Sequence, residues 1–200
     1  MKKNFKRRED VRRKIACQHG PVRMIVGSAN ISYDGWIDTE TDILDILKEE
    51  EWRYLLGQRK VEMLLSEHVL EHIAPAEQLK SVRLCYRFLK PGGRFRVAVP
   101  DGYRPDDSYR KEIMPPRDGH TMVFNHQTLE TMLQAAGFQT TLLEYFDMDG
   151  MFHLKEWHPD FGMIRRSARF DTQQQFRIKN GSHILNYTSL IVDGVKPEGT

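Results

Sequence analysis
The residues best suited to chemistry gather at one point of the chain, where Ser66, Glu67 and His68 close the apolar run VEMLL at 61–65. His68 could act as a general base, since an unperturbed imidazole titrates near neutrality; equally, it could be a structural histidine that orients the turn. His68, Glu71 and His72 also fit the spacing H-x-x-E-H. On a continuous helix those two histidines would share a face and could bind zinc. Here the run starts at a strand end, Pro75 follows within three residues, and no second helix offers an evident acidic third ligand, so no metal is expected. Farther on, Arg165, Arg166, Arg169 and Arg177 could clamp an anionic group, or could form a solvated basic face paired with Glu156, Asp160 and Asp171. The other candidates for that side are Tyr103, Arg104, His120, Asn125 and His126, then His153, Trp157 and His158.

A βαβ unit is what would position the first group. VEMLL at 61–65 and FRVAV at 95–99 are short, bounded apolar runs, as strands buried on both faces tend to be. Between them Leu79, Val82, Leu84, Tyr86 and Leu89 recur at roughly helical spacing, with Gln78, Lys80, Arg83 and Arg87 on the other side. Strand, helix and strand at this spacing imply a parallel pair with a right-handed crossover. Ligands of such sheets sit at the carboxyl ends of the strands, where Ser66 to His68 and Pro100-Asp101-Gly102 fall.

The flanking elements extend the same alternation. Upstream come a strand RMIV at 23–26, a loop, a strand WIDTE at 36–40 and a helix over about 43–56. Downstream, HQTLETMLQAAGF predicts a helix with Thr128 near its cap and Gly137 at its stop. TTLLEYF at 140–146 and YTSLIVDGVK at 187–196 read as strands expected to pair antiparallel. The pattern predicts an α/β fold, a three-layer sheet that is mostly parallel with an antiparallel C-terminal strand. Two long polar segments, 102–127 and 150–183, are of the length usual for functional loops.

Composition narrows the classes. Two hundred residues make one domain, long enough to bury about 70% of the surface its unfolded chain exposes. Thirty basic and 28 acidic residues leave a formal charge of +2, which gives no general pull toward nucleic acid or membrane. Cys17 and Cys85 stand far apart and suggest neither a zinc knuckle nor a disulfide framework; a cytoplasmic location is expected. No apolar stretch approaches the roughly 20 residues of a membrane span. Residues 1–20 are rich in Lys and Arg and read as a solvated, frayed lead-in to a short helix over REDVRRKIA. A nucleic-acid arm is the less favoured reading, because Phe5 is the sole interleaved aromatic.

The series VGSAN, GWIDTE, LLSEHVLEHI, FLKPGGRFRVAVPD, TMLQAAGF and SLIVDGVKP resembles the class I S-adenosylmethionine-dependent methyltransferases over nearly the whole chain. HVLEHI followed by LKPGG is its specific part, and EWHPDFGMIRRSARFD is similar to a short group of methyltransferases whose substrate is unidentified. The resemblance implies a Rossmann-like domain over residues 1–200 that binds S-adenosylmethionine and methylates a small-molecule or anionic acceptor. It implies that Gly27, Ser28 and Ala29 face the methionine part of the cofactor, Glu40 the ribose, Asp45 the adenine side, and Ser66, Glu67 and His68 the reacting end. A carboxylate such as Glu40 suits the ribose because it accepts from both hydroxyls of a vicinal diol; Asp38, Glu40, Asp42 and Asp45 also read as an ordinary acidic surface run.

Two departures from the family pattern stand out. Ala29 occupies a position where a second glycine is expected, and a left-handed alanine costs roughly 1–2 kcal/mol. The link from Gly27 to Trp36 is also too short for a crossover helix, which generally needs a dozen or more residues. Both features favour the rival reading, a non-catalytic module of the same fold with a degraded cofactor site.

Overall fold
The computed structural model describes residues 2–169, 177–179, 182–184 and 188–199. Its elements run α1 (Lys2–Cys17), β1 (Val22–Val26), β2 (Ile37–Thr39), α2 (Glu49–Leu56), β3 (Val61–Glu67), α3 (Pro75–Phe88) and β4 (Leu89–Val99). They continue with α4 (Asp107–Ile113), α5 (His126–Ala135), β5 (Gln139–Phe146), β6 (Phe152–Leu154), a small hairpin of β7 (Arg177–Lys179) and β8 (Ser182–Ile184), and β9 (Leu190–Val195). One seven-stranded sheet has the order β2-β1-β3-β4-β9-β5-β6.

The α/β fold is as the alternation predicts, with one refinement. β2, β1, β3 and β4 pair parallel, whereas β9 enters antiparallel between β4 and β5, and β6 pairs antiparallel at the edge. Five strands therefore point one way, yet half of the six pairings are antiparallel. The two C-terminal strands do pair antiparallel, from Gln139 opposite Val195 to Glu144 opposite Ile191.

Both departures at the start of the sheet are visible in the backbone. No helix lies between β1 and β2; the chain turns through a loop closed by Ile31 N donating to the Ser28 carbonyl, at 2.8 Å. The helix expected over 43–56 is shorter, because residues 41–48 form successive turns and α2 begins at Glu49, with three acidic residues in its first turn. Negative charge there is favourable toward the positive end of the helix dipole.

Glycines decide the Lys90-Pro91-Gly92-Gly93 passage. It lies within β4 as an irregularity: the register against β3 jumps from Val61 opposite Leu89 to Met63 opposite Arg94. A Cβ on Gly93 would lie 2.7 Å from the Lys90 carbonyl oxygen, so this bulge tolerates no side chain. Behind it, Lys196 Nζ donates to the carbonyls of Tyr86 and Leu89, each at 3.1 Å, supplying donors that the end of α3 lacks.

The N-terminal segment differs from the frayed lead-in expected of it. α1 spans 16 residues and packs on α2: Ile15 is fully buried in the main core, Arg8 and Arg12 lie over the Tyr54 ring, and the Tyr54 hydroxyl bonds to Glu9. The segment 102–127 is also more ordered than a loop. Asp106 caps α4 by accepting from the Ser108 and Tyr109 amides, and Asn125 and Thr128 form a capping box on α5.

Three buried ionisable side chains stitch residues 157–168 onto the sheet. From β4, fully buried Arg96 grips Asp193 of β9 in a two-pronged ion pair of 2.7 and 2.9 Å and donates to the carbonyls of His158 and Gly162. From β5, Glu144 accepts from the Trp157 indole at 2.9 Å and from the Ala168 amide at 2.7 Å. From β3, Glu67 accepts from the amides of Arg165 and Arg166 at 3.2 and 3.0 Å. Such charged-group hydrogen bonds are about twice as strong as neutral ones, and they hold residues 165 and 166 beside the end of β3.

Candidate functional site
At the carboxyl ends of β1 and β3 the sheet opens on a cavity of about 480 Å³, within the size range of small-molecule sites. Gly27 and Ala29 line it from the loop after β1, Glu67 and His68 from the end of β3, and His72, His120, Arg165 and Arg166 complete the lining together with the acidic Glu112 and Asp118.

The loop after β1 needs its glycine. Gly27 has φ +61°, and a Cβ there would lie 2.5 Å from Val69 Cγ2; the loops after β1 and β3 meet only because nothing projects between them. Ala29 and Asn30 follow at φ +46° and +64°, so the strain foreseen for an alanine at this place is present. Glu40 offsets it. Its Oε1 accepts from Ser28 Oγ at 2.6 Å and from the Asn30 amide at 3.2 Å, while Ser28 N donates to the Thr39 carbonyl. No hydrogen bond to Glu40 Oε2 is present among the described residues.

The end of β3 is strained as well. His68 has φ +57°, uncommon for a residue with a side chain and typical of functional sites. Its amide still donates to the Ala98 carbonyl at 2.8 Å, continuing the ladder of β3 past the kink. The ring is nearly buried: Nε2 is 2.9 Å from Ser189 Oγ, and Nδ1 is 3.1 Å from Glu71 Oε1, an ion-pair distance without hydrogen-bond alignment. The kink also means that His68 and His72 do not share a helix, since the residues between them form only a single 3-10 turn over Leu70–His72. Burial and, after it, the Glu67 charge push the Tyr33 phenol up to about 12.

The residues predicted for the site separate into groups. Gly27, Ala29, Glu67 and His68 line the cavity; Ser28 and Ser66, their neighbours in the chain, are buried. Glu40 braces the loop from outside the lining. Asp45 also lies outside it, accepting from the Leu47 amide at 3.0 Å and pairing with Lys48. On the acceptor side, His120, Arg165 and Arg166 reach the cavity. Asn125 caps α5, Trp157 is buried against Glu144, Arg104 lies over the Tyr109 ring, and the Arg177 side chain is outside the described residues.

Glu71 and Asp101 stand within the motifs read from the sequence, whereas Ser189 stands there only as a residue of the run SLIVDGVKP, with no role of its own. Ser189 lies just before β9, 121 positions from the histidine it meets, and carries no local signal. Asp101 was legible as a strand-end residue, but its task is structural: it accepts from the Tyr103 and Phe146 amides at 2.9 and 2.7 Å. Burial pushes its carboxyl above the ordinary value despite those two bonds.

Residues 13–143 match the family model described as a methyltransferase domain. A curated relative from Mycolicibacterium smegmatis, described as a probable S-adenosylmethionine-dependent methyltransferase, is 31% identical over an alignment of 103 residues that covers 49% of this chain. The chain spans only 34% of that relative's length. Among solved structures, an S-adenosylmethionine-dependent methyltransferase from Archaeoglobus fulgidus superposes with a TM-score of 0.53 at 12% identity, over 96% of this chain and 94% of its own. The Haloferax volcanii complex between the Trm112 methyltransferase activator and a methyltransferase gives 0.52 at 14% identity, over 95% and 88% of the respective chains. At these identities the two structures report a common fold alone.

Proposed function
The chain belongs to the methyltransferase domain family, and on that premise we propose that it transfers the methyl group of S-adenosylmethionine to a small or anionic acceptor held in the cavity beside Gly27 and His68. When bound, the cofactor supplies an electrophilic methyl: an acceptor lone pair forms the new bond in line as the carbon–sulfur bond breaks and its electron pair returns to sulfur. Everything else is the work of the chain. The observation that carries the reading is the pinned left-handed loop at Gly27, Ala29 and Asn30, which lies on the same cavity as the strained His68.

In this reading the left-handed loop lets the methionine part approach the backbone, and Glu40 offers Oε2 to the ribose diol while Oε1 keeps the loop in shape. Asp45 serves the adenine side, and Ser66, Glu67 and His68 form the reacting end. His68, held by Ser189 at Nε2, acts first by holding the geometry and second by taking the acceptor's proton where there is one. Orientation is worth effective molarities on the order of 10⁵–10⁸ M, against about 10²–10⁴-fold for a base. Arg165 and Arg166, fixed through their backbone by Glu67, favour an anionic acceptor.

Titration calorimetry with S-adenosylmethionine and S-adenosylhomocysteine tests the proposal. Saturable binding of one equivalent is expected. No heat at millimolar ligand would overturn it and leave the rival reading, a non-catalytic module of this fold, which the strain at Ala29 favours.

A further inference from the structure
We propose that Glu71, His72 and His120 form a binding site for a divalent transition-metal ion on the wall of the cavity. One carboxylate oxygen of Glu71 and one ring nitrogen of each histidine lie within 4.8 Å of one another. Two imidazoles and a carboxylate are the donor set of several catalytic zinc and non-haem iron centres. Imidazole nitrogen selects such ions over magnesium or calcium, which prefer oxygen alone.

Two further observations point to an ion. The first is the state of Glu71. It is 1% exposed, and neither carboxylate oxygen accepts a hydrogen bond of acceptable geometry within the described residues; His68 Nδ1, 3.1 Å from Oε1, is its one ion-pair neighbour. A buried carboxylate this poorly satisfied is costly unless a cation neutralises it. The second is the state of His120. Its Nδ1 lies 2.8 Å from the Ile113 carbonyl oxygen, and a carbonyl only accepts, so Nδ1 carries the proton. Neutral His120 is thereby held in the tautomer whose Nε2 lone pair is available, the arrangement that metal-binding histidines use.

The backbone brings the ligands together before any ion arrives. Thr121 N donates to the Glu71 carbonyl at 2.7 Å, and Thr121 Oγ1 donates to the carbonyls of Glu71 and Ile73 at 3.0 and 2.6 Å. The segment carrying His120 is thus fastened to the turn carrying Glu71 and His72, and the two rings sit with centroids 5.0 Å apart. This ligand set differs from the H-x-x-E-H set weighed from sequence, in which His68 is a ligand; here His68 turns to Ser189 instead, and the third ligand comes from the segment after α4. Three protein ligands leave coordination positions open, as in catalytic rather than structural sites, and both histidines line the same cavity as Gly27 and Ala29.

The test uses the full chain without a histidine tag, stripped with a chelator and titrated with zinc chloride, with magnesium chloride as control. One equivalent of zinc should bind, unaffected by millimolar magnesium. His120→Gln, His72→Gln and Glu71→Gln should each weaken it by at least about 100-fold, the upper end of what even outer partners of metal sites cost. Circular dichroism of each variant reports whether it folds, and cobalt substitution reads the geometry directly through its visible absorption. Absence of stoichiometric zinc would overturn the site, as would zinc binding that folded His120→Gln and His72→Gln variants retain. Cofactor calorimetry is a separate measurement, so failure of this site is distinguishable from failure of the methyl-transfer reading.

Discussion

His68 Nε2 lies 2.9 Å from Ser189 Oγ, so the strained turn after β3 is held by a residue at the threshold of the last strand. Ser189 is buried, and its amide donates to the Arg166 carbonyl. Ser189→Ala removes this hydrogen bond to the imidazole, which costs about 0.5–1.5 kcal/mol. Urea unfolding should register that loss; a variant as stable as the parent would show that the contact carries no weight.

The two positions of the loop after β1 should respond oppositely to exchange of alanine and glycine. Ala29→Gly removes a left-handed alanine worth roughly 1–2 kcal/mol, partly offset by the greater freedom of glycine in the unfolded chain, about 0.5–1 kcal/mol. A small net gain in thermal stability is expected. Gly27→Ala adds both the strain at φ +61° and a contact with Val69, and should destabilise by more than the strain alone. Adding Val69→Ala should recover the steric part only, giving a non-zero coupling in the double-mutant cycle.

Removal of the Glu40 carboxylate should unpin the same loop. In the proposed reading Glu40→Ala loses both the brace to Ser28 and Asn30 and the partner of the ribose diol. Calorimetry should show S-adenosylhomocysteine binding weakened at least about tenfold, which is 1.4 kcal/mol. Unchanged affinity would remove Glu40 from the binding role.

Glu144 gives stability a pH dependence of definite sign. Burial, the largest influence, pushes its carboxyl above the ordinary value, against the hydrogen bonds from Ala168 and Trp157. The native state therefore holds this proton more tightly than the unfolded chain. The stability it contributes is complete below the unfolded pKa and is lost as pH rises through the folded one. Glu144→Gln lacks this titration, so the parent's unfolding free energy minus the variant's should fall as pH rises from about 4 toward 7. A difference that is flat or grows with pH contradicts the account.

The buried pair of Arg96 and Asp193 should behave as a unit. Asp193→Ala removes the carboxylate partner of the fully buried Arg96 guanidinium and of Arg94, 2.7 Å from the same carboxylate, and should cost about 3–5 kcal/mol. Arg96→Met with Asp193→Leu should cost less than the sum of the single changes, as guanidinium chloride unfolding would show.

The fold was legible where period and punctuation agree. The runs at 61–65 and 95–99 and the helix between them announced β3, α3 and β4, because apolar spacing acts locally, although β4 begins already at Leu89, a residue that the spacing assigns to the helix. α1 was misread for the opposite reason: its charge suggested solvation, and only the burial of Ile15 against the core reveals a docked helix. The site divides the same way. Gly27, Ala29, Glu67 and His68 sit at strand ends, which topology makes predictable, and Glu71 follows them in a local pattern; Ser189 and His120 come from elements whose meeting with that turn no local pattern encodes. Arg96 and Glu144 read as ordinary strand residues, since nothing in a strand's alternation tells a solvated charge from one buried against another element.

The position of β9 has a consequence for how the molecule is made. On the ribosome, β4 and β5 emerge well before residues 190–195, the strand that fills the gap between them. Until that strand arrives, the nascent sheet carries two unpaired edges, the feature that makes partly folded chains adhere to one another. The final cooperative step should therefore join β9, which is synthesised after both of its neighbours, to the two at once. Pulse-labelled hydrogen exchange during refolding would then find the amides of β4, β5 and β9 acquiring protection together, after those of β1 and β3; early protection in β5 would refute this order.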